Sequence, residues 1–429
     1  MHLEFTDEQL ELRESARATL AKECPPRLVR DVAVGDEGVP AFDTQLTWLG
    51  WPALTIDPDL GGLGRGFVEL AVVLEELGRV AAPGPFLATM TQFVPAVREA
   101  GTTAQVHRFL AAVAAGHLNG TLALHEGGRW DPFSIGATAT RDGDGWVLSG
   151  HKHQVLCCAD VDEVVVAARR ESGALGLFVV PAAELTFARV TSLDGTRSLG
   201  NLELKGVWVP EARMLGDASA STDATPALSA MLAEATVGMA LDMLGVCEAL
   251  FQSSLDVALD GVGGRREPGS DATPPGGTEA ITAPVDTAPD RNGARADPLS
   301  SASGTPARSP SQATKHRLID MLMALERARA TIYHAVGAVA GGHERAAIAA
   351  SAAKAAAGAC QRVITGNSIE VHGAGPRRSE ASLWVRRAQA GELLLGSSAD
   401  HRRVVADDLL RVPKRQGSSG SGLAAVLGL

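Results

Sequence analysis

The sequence predicts an α+β chain of three parts: an N-terminal helical domain over residues 1–115, a small central β barrel or sandwich over 116–225, and a C-terminal four-helix bundle over 226–411. Three observations predict it. Apolar residues recur at helical spacing through the first part. They then give way to short runs rich in Val, Leu and Thr, separated by Asp-Gly and Ser-Gly turns. From Ala227 the helical period returns and persists almost to the end.

Thr6, with Gln9 three residues on, has the form of a capping box. Leu10, Leu12, Ala16 and Leu20 follow at helical spacing, so the chain opens in a helix. "AFDTQLTWLGW" reads as a second, short helix. "GFVELAVVLEELGRVAAPGPF" is a third, stopped by Gly78, Pro83 and Pro85. "TMTQFVPAVREAG" and "AQVHRFLAAVAAG" complete the block. "LNGTLALHE", "GATATRDGDGWVLSG", "VDEVVVAARR", "LGLFVVPA", "LTFARVTSLD" and "NLELKGVWVP" are the strands. Four long helical stretches follow, beginning at "ALSAMLAEATVGMALDMLG", "SQATKHRLIDMLMALERA", "ERAAIAASAAKAAAGACQRV" and "SLWVRRAQAGELLLGSSADHRRVV".

Between the first and second of these lies an insert, residues 261–310, rich in Pro, Gly, Ser, Thr and Ala. One helix before it and three after it would each leave an apolar face uncovered alone, so the insert interrupts a bundle and does not join two domains. Its composition offers too little apolar surface to offset ordering entropy, and it is expected to lack regular structure. Residues 412–429 read as a loose tail.

Of 429 residues, 45% are hydrophobic and 21% charged, enough to build buried cores. The net charge of −11 argues against nucleic acid as a partner. Cys24, Cys157, Cys158, Cys247 and Cys360 lack metal-ligand spacing and read as buried thiols in a reducing cytoplasm, with Cys157 and Cys158 as packing residues. The opening segment is acidic where a leader is basic, and no apolar stretch is expected to reach the ~20 residues of a membrane span. The expectation is a cytoplasmic protein with no metal, no nucleic acid and no membrane partner.

The order of parts, and several stretches within them, resemble the acyl-CoA dehydrogenases. "LGWPALTIDPDLGGLGRGFVELAVVLEELGRVAAPGPF" is similar to that family's N-terminal stretch, and "GDGWVLSGHKHQVLCCADVDEVVVAAR" to its central hairpin. "SLDGTRSLGNLELKGVWVPEARMLG" resembles the strands that follow, and "SQATKHRLIDM" the start of the second bundle helix. "LWVRRAQAGELLLGSSADHR" resembles the closing helix of the bacterial branch that handles steroid side chains and other bulky acyl groups. The resemblance implies FAD as cofactor and α,β-dehydrogenation of a bulky or steroid-derived acyl-CoA thioester. It also implies an electron-transfer acceptor protein and a homo- or hetero-oligomer with another acyl-CoA dehydrogenase subunit.

Three departures fall on the implied cofactor site. The family's arginine-rich run that reaches the flavin pyrophosphate is replaced by "DGVGGRREPGSD", leaving Gly264 and Arg265, with Gln312 and Lys315 downstream. The family's Gly-Gly-x-Gly turn is reduced to Gly373, Ala374 and Gly375. His125 stands, before Glu126, where a threonine contacts the flavin. The resemblance therefore implies His125, Glu126, Arg265, Gln312, Gly373 and Gly375 as the remaining cofactor contacts. Against this, His125 and Glu126 also read as a surface loop pair, and the glycines as a helix break.

The α-proton of a thioester needs a carboxylate base. The family's closing-helix glutamate corresponds to Leu395, which cannot take a proton. Where the base lies instead on the first bundle helix, Glu234 is the candidate, with Asp242 read as a structural contact. An ordinary solvated or paired carboxylate is the alternative for both. Arg386 and Arg387 read as capping or pairing across the bundle. Two functions stay open: a flavin-dependent dehydrogenase, and a non-catalytic structural subunit with an incomplete flavin site. A third possibility is that "GVGGRREPGSD" and "GAGPRRSEAS" arise from compensated reading-frame slips.

Overall fold

A computed structural model describes residues 5–35, 40–217, 223–260, 310–373 and 378–411. The insert, the tail, Arg265 and Gly375 lie outside the described residues, as do most of the two arginine-rich stretches. The predicted class holds: a helical block, a curled sheet, then a helical bundle.

The block comprises α1 (Asp7–Glu23), α2 (Pro26–Gly35), α3 (Pro40–Trp48), α4 (Phe67–Arg79), α5 (Phe86–Ala88), α6 (Val94–Ala100) and α7 (Thr103–Ala114). Thr6 caps α1 as its spacing predicts: its hydroxyl accepts from Gln9 N–H at 3.3 Å while Gln9 Oε1 accepts from Thr6 N–H. Helix α2, which starts at Pro26, is absent from the sequence reading. Proline is tolerated at a first helical position, where its missing N–H costs nothing. Between α5 and α6 the chain runs as a π-helical turn, Thr89–Phe93, wholly buried. Thr89 Oγ1 accepts from Gly120 N–H at 3.1 Å and lies 3.2 Å from Gly120 O, which seats this turn on the first strand.

Among the described residues seven strands form one sheet: β1 (Gly120–Ala123), β2 (Thr138–Asp142), β3 (Gly145–Leu156), β4 (Glu163–Arg170), β5 (Leu175–Pro181), β6 (Phe187–Arg189) and β7 (Leu199–Pro210). Their order is β1-β4-β2-β3-β7-β6, with β5 pairing the other side of β4. β4 is buried along nearly its whole length, as a strand covered on both faces must be. β3 and β7 are offset by two bulges that bend this long pair over the core.

The bundle is α8 (Thr225–Asp260), α9 (Gln312–Ala340), α10 (Ala346–His372), α11 (Arg378–Leu393) and α12 (Ser398–Arg411). The fourth stretch, read as one helix, is two. Leu395 and Gly396 adopt φ of 55° and 87°, and the chain turns between α11 and α12. One expectation needs correction. α8 contains an 18-residue window of mean hydropathy 1.5, enough by length and composition to cross a bilayer. As 89% of that window is buried inside the fold, α8 is the core helix.

Two features lock the layers together. α4 and α8 touch backbone to backbone at glycines: a Cβ on Gly245 would lie 2.0 Å from Glu75 O, and one on Gly78 would lie 2.3 Å from Asp242 O. Beside this contact, the buried Glu75 carboxylate meets Arg13, Arg329 and the Tyr333 hydroxyl, so α1, α4 and α9 share one charge network. Second, the fully buried Arg387 of α11 reaches Asp242 of α8, Asp194 and Thr196 of the β6–β7 loop, and Ala82 O.

Candidate functional site

A small cavity of about 30 Å³ opens where block, sheet and bundle meet. The π turn contributes Gln92, and β1 with its continuation contributes Leu122, Leu124 and His125. The next loop brings Trp130, and β3 brings His153, Gln154 and Leu156. Met239 comes from α8, and Leu394 and Leu395 from the α11–α12 turn. No Asp, Glu, Lys or Arg is among these lining residues.

The α11–α12 turn is held from behind. Lys354, buried in α10, donates to Gly396 O at 2.7 Å and to Glu392 O at 3.2 Å. His401 Nε2 donates to Leu395 O at 2.8 Å. Burial pushes the His401 pKa down to about 4, so the neutral ring with a proton on Nε2 is the form that fits. The Glu392 carboxylate accepts from Ser398 N–H at 2.9 Å and from its hydroxyl. Together these fix Leu395 at the cavity wall with its aliphatic side chain in place.

Burial lowers the Lys354 pKa from 10.5 to about 8, with Glu392 and Asp400 offsetting part of the effect. The sign follows from linkage. The unfolded chain binds this proton more tightly than the folded one, so the penalty is full below pH 8 and is relieved as pH rises towards 10.5. A shift of this size corresponds to about 3 kcal/mol. Relative to a Lys354→Met variant, the wild type is expected to gain stability across that range in urea unfolding at stepped pH. A constant difference would sink the assignment.

On the sheet side, His125 is half-buried, and burial with the nearby His153 lowers its pKa. Its carbonyl accepts from His153 N–H at 2.6 Å, which holds the end of β1 against β3. Glu126 does not face the cavity lining. Its carboxylate accepts from Lys152 Nζ at 2.6 Å, Gly136 N–H at 2.6 Å and Ala137 N–H at 2.9 Å, closing the loop between them. Burial opposes its charge, but these hydrogen bonds prevail and keep the carboxyl below its ordinary range.

The remaining candidates are scattered. Glu234 pairs with Arg98, and burial, with Glu99 nearby, raises its pKa against that opposing pair. It precedes Met239 by five positions, about 140° round the helix, so it points away from the cavity. Gln312 is exposed at the start of α9, behind the Ser311 cap. Gly373 is exposed at the end of α10 with φ 51°. Asp242, as expected, is structural. Cys157 and Cys158 are buried thiols whose pKa burial pushes up, the latter to about 11. Sequence reasoning missed Trp130, His153, Lys354 and His401. Lys354, alone in the run "SAAKAAAGAC", was the one visible signal: a cation on an apolar helix face needs a buried partner.

A model of the acyl-CoA dehydrogenase N-terminal domain matches residues 6–117, and a model of the acyl-CoA dehydrogenase C-terminal domain matches residues 303–410. Acyl-CoA dehydrogenase FadE26 of Mycobacterium tuberculosis is 29% identical over 237 residues, which is 51% of this chain and 59% of that relative. The match thus spans less than two thirds of FadE26. The ChsE4–ChsE5 complex from Mycobacterium tuberculosis superposes with a TM-score of 0.76 at 21% identity, covering 96% of this chain and 100% of the other. A variant of the Tcur3481–Tcur3483 steroid ACAD superposes with a TM-score of 0.74 at 25% identity, covering 94% and 97%.

Proposed function

The chain belongs to the acyl-CoA dehydrogenase family, flavoprotein oxidoreductases acting on CH–CH groups, and on that premise we propose that it is a non-catalytic subunit of a heteromeric acyl-CoA dehydrogenase for bulky, steroid-like acyl-CoA thioesters. One observation carries this: the cavity lining has no carboxylate and no cation. The lining offers no carboxylate for the α-proton, and its basic side chains are the imidazoles of His125 and His153. Leu395 stands at the wall instead, clamped by Lys354 and His401. The cavity lining by itself does not fit a flavin pyrophosphate, because it holds no Lys or Arg to neutralise one, and burial lowers the His125 pKa. No chemical step is therefore assigned to a flavin on this chain alone.

The two-component names of ChsE4–ChsE5 and Tcur3481–Tcur3483 support a heteromer, and the steroid label of the latter supports the substrate class. In such an assembly a flavin-complete partner would carry the FAD and meet the electron-transfer acceptor. The free, buried cysteines suit a reducing, cytoplasmic setting. The second reading is dehydrogenation by this chain itself. It rests on Glu234, whose burial-raised pKa suits a base, but its ion pair with Arg98 and its position off the cavity put it second.

Purified alone, the protein is expected to lack the visible flavin band, and to acquire it only when co-purified with a flavin-complete acyl-CoA dehydrogenase subunit. Stoichiometric FAD binding by the isolated chain at sub-micromolar affinity would overturn the subunit reading.

A further inference from the structure

The cavity is partly filled by the chain's own indole. Trp130 lies between the His125 ring, at a centroid distance of 5.6 Å and a tilt of 39°, and the backbone of Gly396. The fit against Gly396 is tight: a Cβ there would come within 2.6 Å of Trp130 Cδ1, so this indole position requires the glycine. That wall cannot yield, because Lys354 holds the Gly396 carbonyl and His401 the Leu395 carbonyl. Trp130 rides on the 127–136 loop, whose first two residues, Gly127 and Gly128, are exposed with φ of 91° and 69°. The loop's ends are pinned together by Glu126 on Gly136 and Ala137, and Arg169 holds Phe133 O at 2.9 Å. The loop thus carries Trp130 between ties at its ends and at Phe133.

We infer that Trp130 is the residue that decides what enters this cavity: its indole occupies the slot between His125 and the α11–α12 turn that a planar aromatic ring system would take. A ligand of that class must either displace the loop or stack elsewhere. The inference rests on the family reading only in naming a flavin ring as the planar ligand. The slot itself follows from the packing of Trp130.

Two probes separate these. Trp130→Gly should leave a hole shaped for indole, so free indole is expected to raise the thermal midpoint of the variant and leave the wild type unmoved. Riboflavin, which carries the flavin ring without the pyrophosphate, is expected to bind Trp130→Gly at least tenfold more tightly than the wild type and to compete with indole. Trp130→Phe, which keeps an aromatic on the loop and guards against a folding defect, should fall between. Failure of indole to bind Trp130→Gly, or equal riboflavin affinity in wild type and variant, overturns the role of Trp130. Indole binding that riboflavin does not compete with overturns the flavin assignment instead. Neither result bears on the co-purification test of the heteromer, so the two readings fail separately.

Discussion

Replacing Arg387 by methionine is expected to cost about 3–5 kcal/mol of stability in urea denaturation, the range for removing one partner of a buried ion pair. Arg387 is 1% exposed at its side chain. It donates to Asp242 at 2.9 and 3.2 Å, to Asp194 at 3.3 Å, to Thr196 Oγ1 and to Ala82 O at 3.0 Å. Asp242 keeps Arg197, at 3.0 and 3.2 Å, but the buried Asp194 loses its ion pair and retains the N–H and hydroxyl of Thr196. Lysine cannot rescue the loss, since a single ammonium cannot span four acceptors that a planar fork reaches at once.

The same cluster sets an acid limit. Burial would raise the Asp242 pKa, but Arg197 and Arg387 outweigh it and hold it at about 2, below its ordinary 3.8. The group is more acidic folded than unfolded, so its stabilisation is present above pH 3.8 and lost as pH falls towards 2. The Arg387→Met protein should denature at a higher pH than the wild type. A variant within about 1 kcal/mol of wild type at neutral pH would show that the cluster relaxes, against this account.

The second large effect is expected at Gly245. Valine there would place a Cβ 2.0 Å from Glu75 O and 2.6 Å from Arg79 N, both main-chain atoms. No side chain can swing aside, so α4 and α8 must separate. Overpacking typically costs about 1–3 kcal/mol, and a forced backbone shift puts this case at the top of that range or beyond. Separation would also pull Glu75 from Arg13, Arg329 and Tyr333. Thermal unfolding measures it, with Gly366→Ala as control. Gly366 sits within α10, and a methyl group added there would meet nothing within 4 Å, so that change should be neutral or slightly stabilising.

Elements set by local rules were legible in the sequence. Thr6 and Gln9 fixed the start of α1, and short runs rich in Val, Leu and Thr between Gly-containing turns located the sheet. The apolar period of α8 marked the bundle core. What escaped depends on contacts between residues far apart in the chain. Trp130 looked like one loop residue among several, since its slot exists only when Gly396, some 266 positions later, lacks a side chain. The break after Leu393 was hidden because "ELLLGSS" reads as apolar and continuous. Only the left-handed backbone at Leu395 and Gly396 reveals a turn. Nearness along the chain suggests Glu234, whereas helix phase decides which carboxylate meets a cavity. His125 was named through the family resemblance, and the cavity lining includes it.

The π turn at Thr89–Phe93 holds one residue more than an α-helical turn would, the mark of a single-residue insertion in a helix. That extra residue sets the phase of all that follows. Deleting one position would let the helix regularise, and would rotate its C-terminal portion by about 100°. Gln92 would leave the cavity wall, and Phe93 would leave Gly120 and the edge-on ring of Phe109. The seat of the helical block on β1 therefore depends on a length of chain as well as on the Thr89 hydroxyl. Point substitutions there should be milder than the loss of a single residue.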